Sequence, residues 1–429
     1  MEKLALLGGT PVIEKTDEAM FKWPIITQED EDAALDVIRN NKFSGTDITE
    51  KFCDEFAQWQ GRKYALAYTN GTMSLAAAMF AIGLTRGDEI ICTTKTYWAS
   101  IVQANNFGAK AVFCNIDDNL SMDPTDLERC ITEKTKAIMV VHYASYPCDM
   151  DAIMAIAKKH NLLVIEDVSH AQGGMYKGKK VGTFGDVAAM SMMSGKSFAA
   201  GELGMLVTDN RKIYERALAY AHHERFDAKH IEECDDLKSL YHIALGGVKG
   251  RANQLCSAIA RVQLKYYDER CAEINKAMNY FWDLLEGQPG IRPIRTNEAE
   301  GSTMAGWYAT QGLYVSEELH GLSVERFCEA VREEIDGHCV AGGNFCLHKH
   351  NFFREYAETP SDVNDEVLNV SLSKECFSIP WFKHFDKATI EAYAEGYKKV
   401  IRNHEALLEG DAKAAQGGRW IGTGAKVRR

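Results

Sequence analysis

Short apolar runs recur through the first half of the chain, at 64–68, 89–93, 111–115, 137–141 and 162–167, and what charge they carry sits at their ends, at Glu89, Glu166 and Asp167. Runs of that kind predict strands buried on both faces. Between them the apolar positions take a helical spacing, which predicts helices over 27–41, 48–60, 72–83, 98–108, 149–160 and 212–223. Thr27 stands as an N-cap, with Glu29, Asp30 and Glu31 in the first turn. A strand–helix rhythm of this kind calls for an α/β fold with a large, mostly parallel central sheet flanked by helices.

Past residue 208 the pattern changes. A polar, acid-rich stretch at 224–241 reads as a surface excursion, and His222, His223, His230 and His242 around it as a solvated set. Gly246 and Gly247 make a break, and a helical pattern over 251–285 carries Leu255, Ile259, Val262 and Tyr266 as a bridge between domains. Shorter pieces follow: a strand at 307–315, a helix at 324–335, a loop with His348 and His350, and a last helix at 387–408. They predict a smaller α+β C-terminal domain. The expected organisation is an extended arm at 1–25, broken by Pro11 and Pro24, a large domain at 26–250, a bridging helix and small domain at 251–410, and a mobile, glycine-rich basic tail at 411–429.

With 429 residues and 46% apolar content the chain can bury a large core. A net charge of −12 argues against a nucleic-acid or anionic-membrane surface. Twelve cysteines without a CxxC pair or zinc spacing suit free thiols in a reducing cytoplasm, with no metal site. The N-terminus is too weakly apolar for a signal peptide or a membrane span.

Two stretches carry chemistry. The first is the 186–208 segment, where two apolar runs flank Ser191, Lys196 and Gly201-Glu202-Leu203-Gly204. A lysine among small residues between two strands is placed for desolvation, which lowers its pKa and frees an amine for attack on carbonyls. The second is LLVIED, ending at Asp167, which delivers an acid at the C-terminal end of a buried strand. Pyridoxal phosphate needs both partners: a lysine for its aldehyde and a carboxylate for its ring nitrogen. The turn Thr69-Asn70-Gly71-Thr72, between a strand and a helix, offers backbone N–H groups to a phosphate, although an ordinary strand-to-helix turn has the same look. Neither GxGxxG nor GxxxxGK[ST] occurs.

Taken together, Gly71-Thr72, Glu166-Asp167-x-x-His170-Ala171, Ser191-x-x-x-x-Lys196 and Gly201-Glu202-x-Gly204 resemble the DegT/StrS-like aminotransferases, a group that includes 3-amino-5-hydroxybenzoate synthases. The resemblance runs from Leu6 to about Leu264 and more faintly beyond. It implies the aspartate-aminotransferase-like (fold-type I) architecture and pyridoxal 5′-phosphate as cofactor. It also implies amino transfer from L-glutamate or L-glutamine to a keto-sugar or cyclitol in ping-pong order. Lys196 would form the Schiff base and shuttle the proton, Asp167 would pair with the ring nitrogen, and His170 would lie near the ring hydroxyl. Gly71, Thr72 and Ser191 would hold the phosphate, and Tyr97 would stack on the ring, with Trp98 as runner-up for that role.

Departures accompany the resemblance. Lys249 stands where the family has an asparagine that reaches the neighbouring subunit's phosphate, and a lysine also serves phosphate as a point charge. Lys95 stands where a proline is usual, and Leu203 and Met205 replace smaller residues. The family pattern implies a homodimer with shared active sites, acting on small molecules. Two other readings are a sugar dehydratase on the same fold, against which Lys196 counts because such relatives tend to carry histidine there, and a non-catalytic sensor or regulator.

Overall fold

The computed structural model describes residues 2–222, 230–240, 243–356 and 375–411. Five of the apolar runs become β1 (Tyr64–Tyr68), β2 (Glu89–Thr93), β3 (Lys110–Cys114), β4 (Thr135–Val141) and β5 (Leu163–Asp167). A small hairpin of β6 (Met175–Tyr176) and β7 (Lys179–Lys180) precedes β8 (Val187–Ser191) and β9 (Gly204–Thr208). The main sheet has seven strands in the order β1-β9-β8-β5-β4-β2-β3. All run the same way except β9, which is antiparallel to both of its neighbours.

The lack of polar alternation in these strands has a direct cause. Leu66 and Tyr68 of β1 enter one apolar core while Ala65 and Ala67 enter the other, and Val187 and Ala189 of β8 part from Ala188 and Met190 in the same way. Each fully buried Val, Leu or Ile contributes on the order of 2 kcal/mol, so both faces resist a register slip.

The helices are α1 (Gln28–Arg39), α2 (Asp47–Gln60), α3 (Gly71–Ala81), α4 (Pro124–Leu127), α5 (Met150–His160) and α6 (Arg211–Ala219). Thr27 and Asp30 form a reciprocal capping box on α1. The long α7 (Gln254–Leu284) starts at Asn253, whose side chain accepts the Cys256 N–H. Its first half, with Ala260, Tyr267 and Cys271, packs on the large sheet; its second half, with Ile274, Met278, Phe281 and Trp282, packs in a separate core. That second core covers the antiparallel sheet β10 (Ile291–Pro293), β11 (Gln311–Tyr314) and β12 (Cys376–Ser378), with α8 (Val324–Ile335) and α9 (Lys387–Arg402).

Several expectations are corrected. The 98–108 stretch forms two 3-10 turns, Trp98–Ser100 and Val102–Phe107, because Ile101 at φ −136° interrupts a continuous helix. The helix expected over 212–223 ends at Ala219. Ala221 turns into the left-handed region and its N–H bonds to the Leu245 carbonyl. The last helix breaks after Arg402, and a short turn at Glu405–Leu408 follows.

The N-terminal segment is no extended arm. It folds into 3-10 turns at Ala5–Leu7 and Glu18–Phe21, and Leu4 and Met20 are buried in the second core. The Glu334 carboxylate on α8 fastens it by accepting the Ala5 and Val12 N–H groups at 2.7 and 3.2 Å.

His222 is not solvated: it is buried with its ring 4.6 Å from that of Tyr68. His223, His242 and the tail beyond Asp411 lie outside the described residues. In the described part of the polar excursion, Ile231, Cys234 and Leu237 are buried around Ala219, and Glu215 accepts the N–H groups of Glu232, Glu233 and Cys234.

Candidate active site

The C-terminal ends of parallel strands in an open sheet collect ligands, since side chains and helix N-termini converge there. Asp167 ends β5 and is 4% exposed. Its Oδ2 accepts the Ser100 hydroxyl at 2.8 Å and its Oδ1 the Ser169 N–H at 3.0 Å. Two donors on one carboxylate hold its orientation.

Lys196 lies between β8 and β9, in a turn closed by its own N–H to the Met193 carbonyl at 2.8 Å. Its carbonyl accepts the Trp23 indole N–H at 2.8 Å. The side chain is buried, with Nζ 4.3 Å from the centre of the Tyr308 ring. Burial lowers its pKa to about 8, and the charge of nearby Asp167 works in the opposite direction.

His170 follows Asp167 by one turn and packs its ring 4.8 Å from Tyr308 and 5.5 Å from Tyr143. Its Nδ1 accepts the Ala144 N–H at 3.3 Å, so the ring proton belongs on Nε2. Burial, and then the Lys196 charge, hold its pKa well below the usual histidine range. Ala144 and Ser145 are both left-handed, at φ 51° and 69°, and that bend aims the Ala144 N–H at the imidazole.

The other end of the site is built by close backbone approach. Gly71 opens α3, where Asn70 caps the helix by accepting the Met73 N–H at 2.9 Å. A methyl group on Gly71 would lie 2.5 Å from Ser191 Cβ, and one on Gly204 would lie 2.2 Å from the Asn70 carbonyl oxygen. The helix N-terminus, the half-exposed Thr72 and the end of β8 at Ser191 are therefore pressed together. A helix start carries unpaired N–H groups and a positive partial charge, which suits an anion.

Tyr97 is half-buried with its ring 4.9 Å from that of Trp98. Trp98 is 38% exposed, so it is no core residue. It borders a cavity of about 300 Å³ together with Val102, Phe345, Leu347, Phe352 and Phe353. Lys249 is exposed, and among the described residues it makes no hydrogen bond or ion pair. Its neighbours run beside the end of β1: the Gly250 carbonyl accepts the Thr69 N–H at 2.7 Å, and Arg251 bridges Tyr68.

Sequence reasoning gave no role to Ser100, Trp23 or Tyr308. Ser100 lies three residues after Tyr97, but nothing in the pattern ties it to Asp167. Tyr308 and Trp23 are remote from Lys196 along the chain, so only folding reveals them. Glu166 serves structure: fully buried, it accepts the N–H groups of Gly182, Phe184 and Gly185 at 2.6, 2.8 and 2.7 Å. Elsewhere, ligand atoms of Cys114, Asp126 and Cys130 lie within 4.8 Å of one another, but the Asp126 carboxylate is already engaged by Arg129 at 2.6 and 2.8 Å.

The architecture is that of the aspartate-aminotransferase-like enzymes. The X-ray structure of the aminotransferase from Psychrobacter cryohalolentis superposes with a TM-score of 0.78 at 27% identity, covering 90% of this chain and 99% of that one. The chain belongs to the DegT/DnrJ/EryC1/StrS aminotransferase family, whose model matches residues 24–396. GDP-perosamine synthase of Escherichia coli O157:H7 is 39% identical over 221 residues, 51% of this chain and 58% of the relative. A Micromonospora echinospora protein, provisionally named L-glutamine:3-amino-2,3-dideoxy-scyllo-inosose aminotransferase, is 35% identical over 272 residues, 62% of each chain. The chain thus spans under two thirds of the length of these two relatives. The family implies use of pyridoxal or pyridoxamine phosphate. No described helix is long and apolar enough to cross a membrane.

Proposed function

We propose that this chain moves an amino group from L-glutamate or L-glutamine to a ketone carbon of a sugar or cyclitol, with pyridoxal 5′-phosphate held at Lys196. One observation carries the reading: a buried lysine amine with a pKa of about 8 shares its surroundings with the carboxylate of Asp167, at the ligand-collecting edge of the sheet. The cofactor's needs match the residues present. Its aldehyde needs a free amine, its ring nitrogen an oriented carboxylate, and its phosphate the N–H groups of Gly71 and Thr72 with the Ser191 hydroxyl. The clearance around Gly71 and Gly204, too small for a methyl group, supports a cradle built from backbone.

When bound, pyridoxal phosphate supplies an electron sink for the pair left as a proton leaves carbon. The protein's part is to hold and to move protons. Lys196 would hold the aldehyde through its free amine, and the same amine would serve as general acid and base for the proton on the reacting carbon. Asp167, oriented by Ser100 and the Ser169 N–H, would pair with the ring nitrogen. His170, neutral with its proton on Nε2, would donate to the ring hydroxyl, and Tyr97 would stack on the ring. Burial against the Tyr308 ring keeps water from the Lys196 amine.

The donor and acceptor draw on the relatives, one named for L-glutamine and an amino-inosose and the other for perosamine. Because donor and acceptor share one site, the order is ping-pong. The active form is a homodimer, the commonest closed assembly, with Lys249 of one copy serving the phosphate held by the other. The described helices and the free cysteines fit a cytoplasmic protein.

The test is spectroscopic. L-Glutamate or L-glutamine added to the holoenzyme should shift its near-visible absorbance band, and parallel initial-rate plots should follow with a keto-sugar acceptor. Lys196→Ala should abolish borohydride-sensitive trapping and turnover; turnover kept in that variant rejects the reading.

A further inference from the structure

Lys95 directly follows Thr94 at the C-terminal end of β2 and is 6% exposed. Its backbone bridges Cys346, and its ammonium is hydrogen-bonded to the Cys376 thiol and lies beside the Tyr143 hydroxyl. The residue therefore stands at the seam where the large sheet meets the small one. Burial raises the Cys376 thiol and pushes the Tyr143 phenol up to about 12, so both are neutral at pH 7. Among the described residues no carboxylate forms an ion pair with Lys95. A buried cation without a countercharge is costly to keep.

The groups around it are polar and not fully used. Gln311 is 6% exposed, and its Nε2, 3.4 Å from the Tyr143 hydroxyl, keeps a second N–H for an acceptor. The Tyr143 hydroxyl accepts the Asn344 N–H at 2.9 Å. This cluster adjoins the reaction centre on two sides. Thr96 Oγ1 lies 3.1 Å from the Ser100 hydroxyl that binds Asp167, and the Tyr143 ring is 5.5 Å from that of His170.

We propose that Lys95 is an oxyanion-recognition residue beside the reaction centre, holding a carboxylate or a phosphate of a substrate at the seam between the two sheets. The identity of the ligand rests on the transaminase reading above. Lys196 is committed to the reaction itself, and Lys383, the other buried lysine nearby, rests against the rings of Trp23 and Trp381. An amino donor and its oxo acid each carry a carboxylate, and a phosphorylated or nucleotide-linked acceptor carries a phosphate. The common chemistry is an oxyanion, which an ammonium with neighbouring amide donors recognises.

The experiment compares wild-type holoenzyme with Lys95→Met and Lys95→Arg. Calorimetry follows binding of glutarate, a dicarboxylate with no amine to transfer, and of inorganic pyrophosphate. Stopped-flow absorbance follows the half-reaction with the amino donor alone. Lys95→Met should weaken at least one of the two probes tenfold or more, with Lys95→Arg recovering much of the loss. Weaker glutarate together with a weaker donor half-reaction identifies the donor carboxylate; weaker pyrophosphate alone identifies an acceptor phosphate. Binding of both probes within twofold of wild type overturns the proposal. Lys95→Gln replaces Lys95→Met in the same measurements if the methionine variant does not fold. If no amino acid shifts the spectrum and a probe still binds in a Lys95-dependent way, the transaminase reading fails and this inference stands.

Discussion

The indole N–H of Trp23 donates to the carbonyl of Lys196 at 2.8 Å, joining the N-terminal segment to the turn that carries the reactive amine. Trp23→Phe keeps the aromatic bulk and removes the bond, at a cost of about 1 kcal/mol. The turn loses its outer support, so turnover is expected to fall severalfold with a small loss in melting temperature. Steady-state kinetics beside thermal unfolding checks this; unchanged turnover would mean that the bond does not position Lys196.

Gly204→Ala places a methyl group against the Asn70 carbonyl, a contact the backbone of β9 relieves only by moving away from the start of α3. The expected result is cofactor affinity weakened by at least tenfold, read by fluorescence titration of apoprotein with pyridoxal phosphate. Wild-type affinity would show that the cradle is not the phosphate site.

The lowered pKa of Lys196 sets a pH dependence. With a pKa of about 8, roughly one amine in ten is free at pH 7, against about one in three thousand for an ordinary lysine. The rate at which apoprotein recombines with pyridoxal phosphate should therefore rise with pH, reach half its limit near pH 8 and level off above it. A rate still climbing at pH 10 would contradict the burial argument.

Glu166 is a buried carboxylate whose pKa is held below the usual range: burial opposes this, but the His142 ring and the backbone N–H donors outweigh it. Its folded pKa lies below its unfolded one, so its contribution is present above the unfolded value and is lost as pH falls through the folded one. Glu166→Ala leaves these donors without an acceptor and should cost about 3–5 kcal/mol. Denaturant unfolding at pH 7 and pH 4 should show a gap between wild type and variant that narrows at the lower pH.

Lys383 is 2% exposed and its amine has no hydrogen-bond partner; burial lowers its pKa to about 5. The unfolded chain binds that proton more readily, so between about pH 5 and pH 10 this lysine destabilises the fold less as pH rises. Lys383→Met, of similar length, should stabilise the protein by about 1–3 kcal/mol at pH 7. An unchanged or lower melting temperature would show that the amine has a partner in solution.

Much of the fold was legible because its signals are local. Uninterrupted apolar runs marked the strands, since residues pointing to either face of the sheet meet a core. The N-cap at Thr27, with acids in the first turn, and the glycine turn at 71 marked helix starts by backbone chemistry that neighbours in sequence supply. The expectations that failed are those where distant contacts overrule local preference. The N-terminal segment was expected to be extended, but Glu334 and the second core bend it into turns. His222 was expected in solvent, but Tyr68 buries it.

The order and chemical types of the residues in this chain determined that a lysine, an acid and a glycine turn would occur at strand ends, and they carried the family resemblance. Only the tertiary structure decided how acidic the lysine is, which serine steadies Asp167 and which aromatic ring lies under the amine. The physical reason is that pKa and orientation depend on desolvation and on partners brought in from remote segments. Tyr308 and Trp23 reach Lys196 only when the small core and the N-terminal turns close on the large sheet.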